Sequence, residues 1–444
     1  MKSSIWRFLF ISEEIRNRLL FTLGLLVLYR LVAHVPVPGV NRTVIASILS
    51  QGGSGQTLFS LLDLLSGGTV SNFSVLAMGV YPYITAQIIL QLLVPIIPSL
   101  QARMEEDPRE GQKWMEKWTY YLSVPMAALQ AVGQIRLFQQ FAAGQNVLGF
   151  ALGANLETLT TIVTMTAGTM FAIWLGELIS EYGIRNQGLS LIIFAGIVAR
   201  IPSNVARLMT DQAIRVPLSI FLLVLTTMTI FVIVYVQEGR RNVPVMYPGR
   251  RVGNRMSMPV KGTLPLMVNM AGMIPLIFAQ SLLTFPAVVA QFFIGSSNTL
   301  IQNVALWIQN NFGGISSTYW IMYFVMVVGF TFFYTDVLFA QQNYGENLKR
   351  SGAQVPGVTK GVATQRYLTR VLRRITLPGA VLLGIVAVMP FIVGVFYPIA
   401  GGQSGLLLVS SAGLLIVVGV VRDTYRSIEA ELKLRGYDSA LLVR

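Results

Sequence analysis

Along most of this chain apolar and polar positions come in long blocks rather than in a residue-by-residue alternation. Apolar runs of spanning length fall at 19–34, 75–97, 118–138, 156–176, 188–208, 216–236, 265–292, 318–340, 375–397 and 404–421. A bilayer core of about 30 Å takes some 20 residues of helix, so ten membrane-crossing helices are expected. The fifth run is the weakest, because Arg200, Pro202 and Arg207 interrupt its end. A further apolar block, Leu58–Leu65, is too short, since as a helix it rises only about 12 Å. It halts at Ser66-Gly67-Gly68 and hands over, across a polar stretch, to the run that begins at Val75. Backbone that is not helical at membrane depth survives only inside protein or against a water-filled cavity. The broken segment therefore points to a cavity.

An even number of spans with a cytoplasmic start puts both termini on the cytoplasmic side. The distribution of positive charge agrees: the Lys and Arg outside the segments so assigned are Arg30, Arg42, Arg136, Arg200, Arg207 and Arg215, out of 33 in all. Met1–Arg18 mixes Trp6, Phe8, Leu9, Phe10 and Ile11 with Lys2, Arg7, Arg16 and Arg18, the pattern of an interfacial helix on an anionic lipid surface. Leu19–Val32 is followed by HVPVPG rather than by a small-residue cleavage site, so no signal-peptide cleavage is expected. Five spans before about residue 212 and five after it make two halves of opposite orientation, although no similarity between them is detectable. The expected organisation is an amphipathic segment 1–18, a half at 19–212, a half at 213–421 and a tail at 422–444.

Composition removes many functions. The chain of 444 residues is 54% hydrophobic and 12% charged, against about 25% charged in a soluble domain. It has no cysteine and one histidine, His34, which excludes disulfides, thiolate chemistry, multi-His metal sites and a conventional triad. No cofactor is expected: Ser66-Gly67-Gly68 lacks the lysine and strand context of a phosphate loop. Interior ionisable groups are few, with Asp336 late in the eighth span and Glu177 at the end of the fourth. A secondary transporter built on inverted repeats would mark its path with such groups, and their scarcity speaks against that alternative.

Two loops stand out as basic. Glu238–Gly262 carries Arg240, Arg241, Arg250, Arg251, Arg255 and Lys261, and Gln341–Arg374 carries Lys349, Arg350, Lys360, Arg366, Arg370, Arg373 and Arg374. Any single one of these arginines is accounted for by topogenic charge. Together they make a surface suited to RNA phosphates or an acidic protein.

Four stretches carry a family resemblance. MGVYPYITAQIILQLL (Met78–Leu93) and LPLMVNMAGMIPLIFAQSLLTFP (Leu264–Pro286) resemble the second and seventh spans of the SecY family of protein-conducting channels. Gly168–Ala199 resembles its fourth and fifth spans, and NLKRSGAQVPGV (Asn347–Val358) the loop after its eighth. The details are similar to the bacterial members. The resemblance implies an all-α polytopic fold of ten helices, in two inverted five-helix halves around an hourglass pore, in the bacterial plasma membrane. It implies a passive channel, not an enzyme, that passes unfolded secretory polypeptides and releases hydrophobic segments sideways into lipid.

Residue by residue, the family's pore ring maps to Val80, Ile84, Leu189, Ile193, Ile277 and Ile416. Its plug maps to Leu61, Leu62, Leu64, Leu65, Ser66, Gly67 and Gly68; the residues alone favour a re-entrant loop that never moves, and only the resemblance implies the plug. The lateral gate, between spans two, three, seven and eight, takes Thr85, Gln130 and Asn269, which as residues alone would equally be helix glue. The implied partners are SecE-like and SecG-like small subunits, the SecA motor ATPase, the ribosome with its rRNA, and signal sequences and nascent chains. Motor or ribosome would dock on Arg240, Arg241, Arg250, Arg251, Arg255, Lys349, Arg350, Lys360 and Arg366. One departure concerns the loop after Val355–Gly357: where the family commonly has an arginine, this chain has Thr359, with the charge moved to Lys360.

Overall fold

The computed structural model describes residues 13–40, 73–94, 97–100, 103, 108–141, 155–185, 187–199, 201–202, 215–248, 251–252, 255–256, 260–291, 293, 298–312, 316–342, 344–396 and 411–434. The plug assignment at 61–68, the segment 1–12 and the boundary near 212 lie outside them. Each of the ten expected spans contains a helix.

In the first half these are α1 (Glu13–Val32), α2 (Tyr81–Leu93), α3 (Pro108–Phe141), α4 (Leu156–Tyr182) and α5 (Gly188–Val198). α1 opens on Glu13 and Glu14 and closes on Arg30, charges that complement the helix dipole at both ends. α4 and α5 cross where neither has a side chain: a Cβ on Gly188 would overlap the carbonyl oxygen of Gly176. Threonines in these apolar helices satisfy themselves locally; Thr85, Thr161 and Thr169 donate to the carbonyls of Tyr81, Glu157 and Met165, four residues back. Between α3 and α4, the Tyr120 hydroxyl donates to the Glu177 carboxylate.

The second span departs from the expected helix over 75–97. Residues 75–80 form a series of turns, with the Ala77 and Gly79 amides donating to Ser74 and Leu76 carbonyls at 2.8 Å each. Gly79 has φ +50, so the helix starts only after it, and Pro82 suits the first turn of α2, where its missing amide costs nothing. This non-helical stretch is packed inside protein: Leu76 and Ala77 are fully buried, and Gly168 of α4 lets the Val75 carbonyl approach where a Cβ would collide. In the fifth span the described helix α5 has eleven residues, about 16 Å.

The second half contains α6 (Arg215–Glu238), α7 (Ile274–Gln291), α8 (Thr299–Phe312), α9 (Ser317–Gln342), α10 (Tyr344–Arg350), α11 (Val362–Phe396) and α12 (Ser411–Leu434). Between α6 and α7 lies an element the sequence reasoning did not anticipate. β1 (Arg240–Tyr247) pairs antiparallel with β4 (Val260–Met267), Arg240 opposite Met267 and Tyr247 opposite Val260, and a smaller pair, β2 (Arg251–Val252) with β3 (Arg255–Met256), lies between them in sequence. Residues 265–267 thus belong to a strand, and the seventh span begins at Ile274 rather than 265. The tenth helix also differs, running from Ser411 without a break through residue 421 to Leu434.

The two halves meet along two lines. α2 and α3 pack against α7, and α5 packs against α12. At the end of the bundle that carries the basic segments, Arg18 of α1 and Glu431 of α12 form a half-buried ion pair at 2.7 Å.

Candidate functional site

Between these two lines lies one buried apolar cluster to which both halves contribute. Val80, Ile84, Ile193, Ile277 and Ile416 are all members, from α2, α5, α7 and α12. Val80 is the N-cap of α2 rather than a helical residue, yet its carbonyl accepts the Ile84 amide at 3.2 Å, which keeps the two on one face. Leu189 is half-buried against the cluster, and its side chain also leans on α4, with its Cδ2 2.7 Å from where a Gly176 Cβ would stand. Without charges or fixed hydrogen bonds, such side chains offer water and ions no ligands.

The three seam residues are not all brought together. Gln130 of α3 donates from Nε2 to Thr85 Oγ1 of α2 at 3.4 Å. Asn269, on the turn before α7, donates instead to the Gly272 carbonyl at 2.9 Å, fixing a bend in which Gly272 has φ +64. Sequence reasoning missed other polar groups at this contact. Gln134 of α3 and Gln280 of α7 are both buried. Their amide oxygens, like that of Gln130, have no hydrogen-bond partner among the described residues. The signal was available: Gln130 and Gln134, and Gln280 and Thr284, are polar pairs at i,i+4 spacing in otherwise apolar runs.

The two basic loops form a single body. Val243 and Val245 on β1 alternate inward, and with Leu266 they pack on Phe339 of α9, Leu348 of α10, Ala353, Val355, and Leu368 and Leu372 of α11. A strand-like bridge welds the loops: the Met246 amide donates to the Gln354 carbonyl at 2.8 Å, and the Gln354 amide to Met246 at 2.9 Å. On this body Arg240, Arg241, Lys349, Arg350, Lys360 and Arg366 are exposed. Arg240 leans toward Glu238 at 3.2 Å, and Glu346 lies 3.6 Å from both Lys349 and Arg350, so some of the charge is partly compensated. Arg251 and Arg255 belong to the short β2–β3 pair, and Arg250 lies outside the described residues.

Asp336 is engaged by Arg373, whose Nε donates to both carboxylate oxygens at 3.2 Å and Nη2 to Oδ2 at 2.9 Å. The bidentate hydrogen bonding holds the Arg373 guanidinium above its ordinary pKa. Among the described residues no group of three or more His, Cys, Asp or Glu could hold a metal ion.

This is a polytopic helical membrane protein of channel architecture, whose two halves share one buried apolar cluster. A family model described as SecY matches residues 74–425. Proteins named protein translocase subunit SecY are 36% identical over 441 residues in Streptomyces scabiei, covering 97% of this chain and 98% of that one. Those from Chlamydia muridarum and Aquifex aeolicus are 38% and 37% identical, with 98% and 97% of this chain and 97% of each relative covered. A solved structure described as a protein conducting channel superposes with a TM-score of 0.64 at 19% identity, over 93% of this chain and 92% of that one. A second, on the plug domain of SecY, gives 0.61 with the same identity and coverage. The chain belongs to the SecY family.

Proposed function

We propose that this chain is the central channel subunit of a protein translocase, conducting unfolded polypeptides through the neck lined by Val80, Ile84, Leu189, Ile193, Ile277 and Ile416. The observation that carries this is the convergence of aliphatic side chains from both halves into one buried cluster. Such a neck can open around a chain of any sequence, because its side chains make no directional bonds that a substrate must replace. A secondary transporter with a midplane charged site is not favoured.

The membrane is the bacterial plasma membrane, with both termini and the basic body on the cytoplasmic side, as the distribution of Lys and Arg supports. The fused body of the two basic loops is the docking platform for a SecA-type motor or the ribosome, either of which supplies the energy. SecE-like and SecG-like subunits complete the assembly. Segment 61–68 is the plug. Sideways release runs between α3 and α7, where Thr85, Gln130 and Asn269, joined by Gln134 and Gln280, keep the contact polar and separable. Interhelical hydrogen bonds in membranes are worth only about 0.6–2 kcal/mol.

Replacing Ile84, Ile193 and Ile277 together with glycine tests the neck. Ion leakage through reconstituted, otherwise idle channels should rise, while unchanged conductance would remove the basis for a hydrophobic seal.

A further inference from the structure

α8 is a fourteen-residue helix, TLIQNVALWIQNNF, and conduction gives it no role. At about 21 Å it is too short to cross a bilayer core of about 30 Å. α7 leaves the basic body at its first residue and α9 returns to that body at its last, so α8, between them, sits at the opposite end of the bundle. It packs against both neighbours. Ala305 is buried, and Phe312 reaches the central apolar cluster.

The rest of its circumference has two different faces. Leu300, Val304 and Trp307, at i, i+4 and i+7, form a stripe with exposures of 75%, 59% and 62%. Beside it Thr299, Asn303 and Asn310 make an exposed polar strip. A helix bathed in water has no use for the first face, and a helix surrounded by acyl chains has no use for the second. A membrane surface supplies both environments at once, and an indole is the side chain most at home there.

Charge narrows the partner. From Gly262 to Thr335 the chain contains no Asp, Glu, Lys, Arg or His. Helices that bind anionic lipid carry Lys and Arg on the polar face, whereas this one presents amides and hydroxyls.

We propose that α8 is an interfacial helix seated in the leaflet remote from the basic body, with Leu300, Val304 and Trp307 among the acyl chains and the amide strip in water, bound by apolar burial without headgroup charge. It holds the far ends of α7 and α9 at a fixed depth. This rests on the membrane-spanning fold, and the test separates the two.

The chain lacks cysteine, so single nitroxide labels can be placed on Val304→Cys, on Asn303→Cys and, as a control in a spanning helix, on Val325→Cys of α9. Val325 is 60% exposed. The full chain is reconstituted in phosphatidylcholine vesicles, with and without added phosphatidylglycerol. At 304 collisions with oxygen should exceed those with a water-soluble nickel chelate, at a depth of about 5–10 Å. At 303 the order should reverse, and both results should be the same in the two lipid mixtures. A label at 304 that meets nickel as freely as at 303 overturns the proposal. So does one shielded from both reagents, which would mean that protein covers the stripe, or one that enters lipid only when phosphatidylglycerol is present. If the label at 325 also reports water, the spanning fold itself has failed.

Discussion

Gln130→Met sets two opposing effects against each other at the contact of α2, α3 and α7. The amide gives up one hydrogen bond to Thr85, at 3.4 Å, which is long beside the usual 2.7–3.2 Å or so. A bond of that length stands at the low end of the range for membrane proteins, about 0.6 kcal/mol. Against this, Gln130 Oε1 is buried without a partner among the described residues, in a side chain with only 6% exposure. Removing an unpaired buried acceptor recovers about 1–3 kcal/mol. Thr85 is not orphaned by the change, because its hydroxyl keeps the Tyr81 carbonyl at 2.9 Å. Methionine fills nearly the same volume, so little packing is lost. The balance favours the closed contact by roughly 0.5–2 kcal/mol, or about two- to thirty-fold in an equilibrium that separates α3 from α2 and α7. The thermal unfolding midpoint in detergent should therefore rise, and signal-sequence-bearing substrates should be admitted more slowly by reconstituted channels. A variant that melts earlier than its parent and admits substrate faster would refute the reasoning, because it would mean that the amide oxygen is satisfied in the bilayer.

Other outcomes follow from the same geometry. Gly188→Val must drive α4 and α5 apart at the Gly176 carbonyl and should cost at least about 1–3 kcal/mol, read as a lower unfolding midpoint; a midpoint equal to the parent's would show that the crossing is looser than described. The Asp336–Arg373 pair raises the arginine's pKa, so its contribution is complete below the unfolded pKa and is lost only as pH climbs through the still higher folded value. The difference in midpoint between the parent and Arg373→Gln should therefore stay constant from neutrality to about pH 10, and it should be small because the pair is largely exposed. Charge reversal at Arg251 and Lys360 should weaken binding of motor or ribosome most at low salt; equal losses at low and high salt would exclude electrostatic docking.

The helices were legible because a spanning segment must be long and apolar, and no other constraint competes for those residues. Their ends were not. Within the apolar run from Val75 the turns before Tyr81 are marked only by Gly79 and Pro82, which hydropathy overlooks. The hairpin hid for a related reason. Its inward residues Val243, Val245 and Leu266 are few, and Leu264–Met267 merged with the apolar start of the next span. Alternation in RNVPVMY was its trace. Val80, Ile84, Ile193, Ile277 and Ile416 share one buried cluster, but only the family singles them out, since aliphatic side chains at helical spacing look the same facing lipid or facing each other. At Asn269 the residue type gave no sign that its amide donates to a backbone carbonyl only three residues away, that of Gly272.

The double bridge between Met246 and Gln354 has a mechanical corollary. Two loops that sequence treats as separate handles become one lever, rooted in α6, α7, α9 and α11. A force on either tip reaches all four roots together, because shearing the weld would break two backbone bonds and expose a packed interior. Whatever grips this lever thus tugs first on the second half, and the first half, none of whose described residues joins the lever's packed interior, serves as the anvil.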